Sequence, residues 1–133
     1  MAMTINSLQA YIGWGTSLST VIDTGGNYVV GLIMPDNWTN ASVSVLVSPD
    51  GAAYHDLFDF DLEDRTNAKE LVFNITPGVM AAVNPNTLMM ARYFKLRSGT
   101  RDEPVNQEAT CNFTVITVDA IGAQPKLAED VTE

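Results

Sequence analysis

A nucleophile–base pair of the Ser/His/Asp or Cys/His kind needs a histidine within reach, and this chain offers His55 alone, with Cys111 as its one thiol. His55 follows a turn in an acidic, aromatic stretch, whereas Cys111 falls on the apolar face of a strand pattern. They read as a surface histidine and a core cysteine. A zinc site would draw on a second histidine or a CxxC pair, and the sequence has neither. Asp56, Asp59, Asp61, Glu63 and Asp64 supply the hard oxygen donors that calcium takes. Their spacing does not fit an EF-hand loop: Asp64 stands where the sharp turn needs glycine, and Phe58, Phe60 and Leu62 interleave as strand residues do. A solvated strand edge leading into an acidic loop is the simpler reading. Nothing in the spacing selects a glycosidase pair of carboxylates. Gly13 and Gly15 flank Trp14, and Gly25-Gly26 marks a turn; neither precedes a helix, so no phosphate cradle is expected. The expectation is a non-enzymatic chain with no cofactor and no metal.

Aromatic and apolar residues give a different chemistry, that of contact. Trp14 lies between two glycines, and Trp38 sits in a loop after Met34-Pro35. Aromatics on such loops stack on sugars or fill a partner's pocket. Trp38 with Tyr54 would make a ligand-stacking platform; alternatively Trp38 plugs the open end of a core. The stretch 79–90, VMAAVNPNTLMM, is apolar and Met-rich, but Asn84-Pro85-Asn86 interrupts it, so it reads as a long apolar loop. A soluble monomer avoids exposing such a loop. Met80, Val83, Leu88 and Met89, together with Trp14, are therefore expected at an interface with another subunit or a partner surface.

The elements that position these residues are strands. Apolar residues recur with a period of two, and no window of a dozen residues holds a 3.6-residue stripe. The clearest strand is 69–76, where Leu71, Phe73 and Ile75 oppose Glu70, Asn74 and Thr76. Residues 42–48 repeat the pattern, with Val43, Val45 and Val47 inward and serines outward. Cys111, Phe113 and Val115 alternate with Asn112 and Thr114, and Phe94 and Leu96 oppose Tyr93 and Lys95. Residues 28–34 are apolar on both faces, which suits a central strand or a subunit contact. Gly25-Gly26 predicts a two-residue hairpin between 18–23 and 27–34, and Ser48-Pro49-Asp50-Gly51 a turn joining 43–47 to 54–60. Thr76-Pro77-Gly78 and Ser98-Gly99-Thr100 end two more strands. With 5–12 this makes about eight short strands in an all-β, two-sheet antiparallel β-sandwich of jelly-roll or Greek-key type, a small barrel being the alternative. One domain is expected over 1–118, followed by an acidic C-terminal tail, 119–133, that is mobile on a free monomer.

The chain has 133 residues, with seven Lys and Arg against sixteen Asp and Glu, a net charge of −9. That balance argues against a nucleic-acid partner, because phosphate binding draws on Lys and Arg. The longest apolar stretch, 28–34, is interrupted by Gly31 and is far short of the roughly 20 residues that span a bilayer, so no membrane role is expected. The opening MAMTINSLQAYIGW lacks the pattern of a secretion signal, which points to synthesis in a bacterial cytoplasm with Cys111 reduced. The sequons at Asn37, Asn40, Asn74 and Asn112 then read as coincidence. The first fifty residues contain no Lys or Arg and three acids, Asp23, Asp36 and Asp50, so that nearly uncharged part is the better place to look for a partner.

Two resemblances bear on the whole. The segment Ser44-Val-Leu-Val-Ser-Pro-Asp-Gly-Ala-Ala-Tyr-His-Asp-Leu resembles a hairpin of discoidin-like, galactose-binding-like sandwich domains, and Val21-Ile-Asp-Thr-Gly-Gly is similar to the stretch leading into their next core strand. This covers about a third of the chain and concerns fold more than function. The longer order of features resembles small virion proteins of tailed bacteriophages: the Ile-Asp-x-Gly-Gly turn, Met34-Pro-x-x-Trp38-Thr, the Ser-Pro-Asp-Gly turn, Tyr93-Phe-Lys-Leu-Arg-Ser-Gly-Thr100 and Pro104-Val-Asn-Gln107. That resemblance implies a capsid decoration or cement protein on the outer surface of the virion. Its partners would be further copies of itself, as a homo-oligomer of trimeric type, and the major capsid protein. It implies no catalytic residues. The negative charge would favour a locally basic shell surface and oppose adhesion to DNA. The alternative is a carbohydrate- or receptor-binding module of a phage tail or fibre, using Trp38 and Tyr54.

Overall fold

The computed structural model describes residues 3–60 and 66–120, and the backbone of 121 and 124–125. It is all-β, as expected, with thirteen short strands among the described residues. They are β1 (Ile5–Ile12), β2 (Ile22–Asp23), β3 (Tyr28–Ile33), β4 (Val43–Ser48), β5 (His55–Asp56), β6 (Phe58–Phe60), β7 (Ala68–Glu70), β8 (Val72–Phe73), β9 (Met80–Ala82), β10 (Tyr93–Ser98), β11 (Cys111–Val118), β12 (Ala120–Ile121) and β13 (Gln124–Pro125).

Two antiparallel sheets face each other. The first has the order β1-β11-β3-β9; the second has the order β2-β10-β4-β5, with β8 pairing β4 beyond β5. Apart from β4 and β5, no consecutive strands are neighbours in either sheet, so the chain passes repeatedly from one layer to the other. Alternation along each strand sends one row of side chains inward. Ile12, Val29, Leu32, Phe113 and Val115 from the first sheet meet Ile22, Val43, Val45, Phe94 and Leu96 from the second. Each such side chain stabilises the fold by about 1.5–3 kcal/mol on burial. A void of about 20 Å³ remains between the layers, lined by Leu32, Val45, Phe94 and Val115 among others. It has room for one water at most.

Several sequence expectations change here. Gly25 and Gly26 have φ of +64° and +86°, and Asn27 N–H closes a turn on Thr24 O at 3.0 Å. The turn is the expected one, but it does not make a hairpin: β2 pairs with β10 and β3 with β11, in different sheets. The strand expected over 69–76 is broken at Leu71, and the one over 54–60 at Leu57. Leu57 N–H turns to Val45 O at 3.1 Å and Leu71 N–H to Leu57 O at 2.9 Å. The broken strands thereby lie against β4 at their base and leave it as a separate arm, β6–β7. The 79–90 stretch is not all loop, since β9 pairs with β3 as an edge strand. Ser44 and Ser48 are buried rather than outward in solvent. In the expected tail, β12 pairs with β13, while 126–133 lie outside the described residues, as do 61–65 of the acidic stretch.

Candidate functional site

At one end of the sandwich the β1–β2, β3–β4 and β10–β11 connections meet around the buried side chain of Gln107. Gln107 Nε2 donates to Ser98 Oγ at 2.8 Å and to Thr39 O at 3.3 Å, and its Oε1 accepts from Thr39 N–H at 2.8 Å. Its backbone joins the same knot: Gln107 N–H donates to Thr16 O at 2.9 Å, and Gln107 O accepts from Gly15 N–H at 2.8 Å. Residues 13–16 form a turn closed by Thr16 N–H on Gly13 O at 3.1 Å, with Gly15 at φ +77°. That left-handed third position is where glycine is needed. Trp14 holds the second position, donates its N–H to Thr110 Oγ1 at 3.2 Å, and is 73% exposed. Such a side chain on a fixed turn loses little backbone freedom when it docks.

Trp38 lies at the same end but inside. It is 6% exposed, its Nε1 donates to Ala41 O at 3.0 Å, and its ring meets Phe113 edge-on at 5.4 Å. It plugs the core, which corrects the stacking role: no ring face is left for a ligand. Tyr54 is half-buried near the far end of β4, with Lys95 Nζ 4.6 Å from its ring centroid. The two do not form a platform.

The expected interface residues do not gather either. Leu88 is buried in the chain's own core, a correction to its assignment as a contact residue, and Val83 packs against that core. Met80 is 62% exposed on edge strand β9, opposite Ile33. Trp14 follows the opposite edge strand of the sheet. Met89 is exposed in the β9–β10 connection at the other end of the sandwich, beside Met90. There Leu57, Phe58, Asn84, Thr87 and Met90 line a groove of about 170 Å³.

His55 and Cys111 are likewise held apart, His55 exposed near the far end of β4 and Cys111 buried beside Gln107, its Sγ 3.4 Å from Gln107 Oε1. Burial pushes the thiol above its ordinary pKa, so it stays protonated at neutral pH. Among the described residues no cluster of three or more His, Cys, Asp or Glu side chains could hold a metal. Nor is any helix long and apolar enough to cross a membrane.

What sequence reading missed is a partition of charge between the layers. No residue of β1, β3, β9 or β11 is Asp, Glu, Lys, Arg or His. The outer face of that sheet, by register, carries Ser7, Gln9 and Tyr11, then Asn112, Thr114 and Ile116, then Ile33, then Met80 and Ala82. The second sheet holds the charges on its outer side. Arg97, 8% exposed, donates from Nε to Ser44 Oγ at 2.9 Å, from Nη1 to Asp56 at 2.7 Å and from Nη2 to Glu70 at 2.7 Å. Arg101 adds a bridge to Asp56 at 3.1 Å, and Arg92 one to Asp23 at 2.9 Å. The signal was present in the nearly uncharged first fifty residues, but pairing with 111–118 and 80–82 is what turns it into a face.

These features define an all-β sandwich with one neutral layer, one ion-paired layer and a presented tryptophan. No protein-family model matches the sequence, and no curated protein matches it. Among solved structures, the chain is similar to the crystal structure of SPBc2 prophage-derived protein YomS, with a TM-score of 0.56 over 89% of this chain and 96% of that one. Identity is 8%, so the likeness is one of fold.

Proposed function

We propose that this chain is a non-enzymatic virion protein that oligomerises and binds the outer surface of a phage capsid as a decoration or cement protein. The observation that carries the reading is the neutral sheet, with Trp14 exposed just past one edge strand and Met80 exposed on the other. The fold likeness to a prophage-derived protein supports the phage setting, to which the resemblance of the order of sequence features to small phage virion proteins also points. In this reading the neutral face and Trp14 lie against the shell. Burial there contributes about 25 cal/mol per Å² of apolar area, and repetition over many copies multiplies the effect on the particle. The Arg97 layer and the remaining acids face solvent, where negative charge discourages adhesion to DNA.

Purified protein mixed with particles that lack it, from the phage whose genome encodes it, tests the reading by co-sedimentation. Saturable binding is expected, weakened at least tenfold by Trp14→Ala or Met80→Glu. Failure to sediment with particles, or binding indifferent to both substitutions, would overturn it.

A further inference from the structure

We propose that β1 pairs antiparallel with β1 of a second copy, about a two-fold axis passing at Ser7. The inference names the partner in the homo-oligomeric part of the reading above and rests on that part alone.

Register fixes which backbone groups are open. Thr4 O accepts from Asp119 N–H at 3.3 Å, on the β11 side, whereas Tyr11 O accepts from Thr20 N–H at 3.0 Å on the opposite side. Bonding direction alternates along a strand, so Ile5, Ser7 and Gln9 turn both N–H and C=O to the side away from β11. Among the described residues no strand lies there; the segment through Ser19 and Thr20 covers that side only at Tyr11 and Ile12.

Edges of this kind are ordinarily protected by charge, proline, a bulge or a cover. The edge built from β5 and β8 is flanked by Asp56 and Glu70, tied to Arg97 and Arg101. The β9 edge is three residues long and runs toward Pro85. By contrast β1 is eight residues, in unbroken register from Ile5↔Val118 to Ile12↔Cys111, with no proline and no charge. The bulge of this sheet lies between β11 and β3 instead.

The edge itself specifies the occupant. Copies of net charge −9 repel one another least through a neutral contact, and β1 with its whole sheet is neutral. An edge open on one copy is open on the next, so matching Ser7 with Ser7 and Ile5 with Gln9 satisfies both edges with about six hydrogen bonds. Ile5 is 61% exposed and Tyr11 50%, on the same face by alternation. Pairing brings Ile5 of one copy within diagonal reach of Tyr11 of the other. The product is a continuous, uncharged double sheet with two-fold symmetry, in place of the trimer that the phage resemblance implies.

Cysteine cross-linking of the full chain tests the register. Across the axis, positions 7 face each other at a Cα separation of about 5.5 Å, within disulfide range. Position 9 lies four residues from its counterpart, roughly 14 Å away. Under mild oxidation Ser7→Cys is expected to give a covalent dimer while Gln9→Cys and the parent chain do not; Cys111 is buried and does not compete. No dimer from Ser7→Cys, or equal dimer from both, would overturn the pairing. Ser7→Pro removes an N–H that serves the open side alone, so β1 stays on β11. Its sedimentation is expected to fall to the monomer mass with an unchanged far-UV spectrum, and an oligomer that persists would contradict the proposal. A parent chain that sediments as a monomer yet binds shells would sink the pairing and leave the decoration reading standing. A dimer that cross-links at position 7 and ignores shells would do the reverse.

Discussion

Arg97 Nη2 and Glu70 Oε2 meet at 2.7 Å across 27 residues of sequence, and the same guanidinium holds Asp56 at 2.7 Å. Asp56 ends β5 and Glu70 ends β7, so one side chain of β10 fixes both roots of the β6–β7 arm on the outside of the second sheet. Ser44, between them, gives its hydroxyl proton to Gly99 O at 2.8 Å and accepts from Arg97 Nε, which is why a serine is buried there.

Removing Arg97 would leave two carboxylates and a serine oxygen facing one another under partial cover. Arg97→Ala is therefore expected to lose about 3–5 kcal/mol in urea unfolding. Arg97→Lys recovers only part, because an ammonium cannot make the three directed bonds. A loss below 1 kcal/mol for Arg97→Ala would show that the arm is held by other contacts.

The two tryptophans are expected to separate stability from assembly. Trp38→Ala removes the core plug against Phe113 and should cost about 3–5 kcal/mol. Trp14→Ala, at an exposed turn position, should stay within about 0.5 kcal/mol of the parent while impairing particle binding. Equilibrium unfolding alongside co-sedimentation checks both, and the reverse ranking would refute the placement of the two rings.

Thr117 Oγ1 is buried and has no hydrogen-bond partner among the described residues, next to the β11 bulge. Thr117→Val keeps the shape and deletes the stranded hydroxyl, so thermal unfolding should show equal stability or a gain of about 1–2 kcal/mol. A clear loss would mean that the hydroxyl is satisfied.

Two surface carboxylates set an acid limit. Asp50 accepts from the N–H groups of Ala52 at 2.9 Å and Ala53 at 3.2 Å and from Ser48 Oγ, and Asp23 is bound by Arg92 and by Gly25 N–H. These bonds favour the charged form and lower both pKa values. A lowered folded-state pKa gives stability that is present above the unfolded value near 3.8 and is lost as pH falls through the folded one. Asp50→Ala should thus unfold at a lower temperature than the parent at pH 7, with the gap closing below about pH 4. A gap of constant size down to pH 2 would contradict this origin.

Local chemistry made much of the fold readable. Period-two alternation located β4, β10 and β11 with their inward residues, because a half-buried strand leaves that mark wherever it pairs, and β1 was expected over the same residues, 5–12. Positive φ at Gly25, Gly26, Gly51, Gly78 and Gly99 matched the turns read from Gly and Pro. Pairing partners were hidden, since a Gly-Gly turn looks the same whether it closes a hairpin or crosses between layers. The breaks at Leu57 and Leu71 were hidden for a related reason: each is an apolar residue in a continuing alternation, and only contact with Val45 and with each other turns it out of the strand. Trp14 stood out by its glycine neighbours. Gln107 and Arg97 did not, because a buried polar side chain is distinguished by partners far away in sequence. The neutral sheet was half visible, as an uncharged N-terminal stretch, and became a surface only through register.

Electron cryo-microscopy of particles from a phage whose genome encodes this chain shows which layer, if either, meets the shell. The account predicts copies on the outer shell, with the β1-β11-β3-β9 layer and Trp14 toward the capsid and the Arg97 layer toward solvent. Copies confined to the tail, absent from the particle, or docked through the Arg97 layer would contradict it.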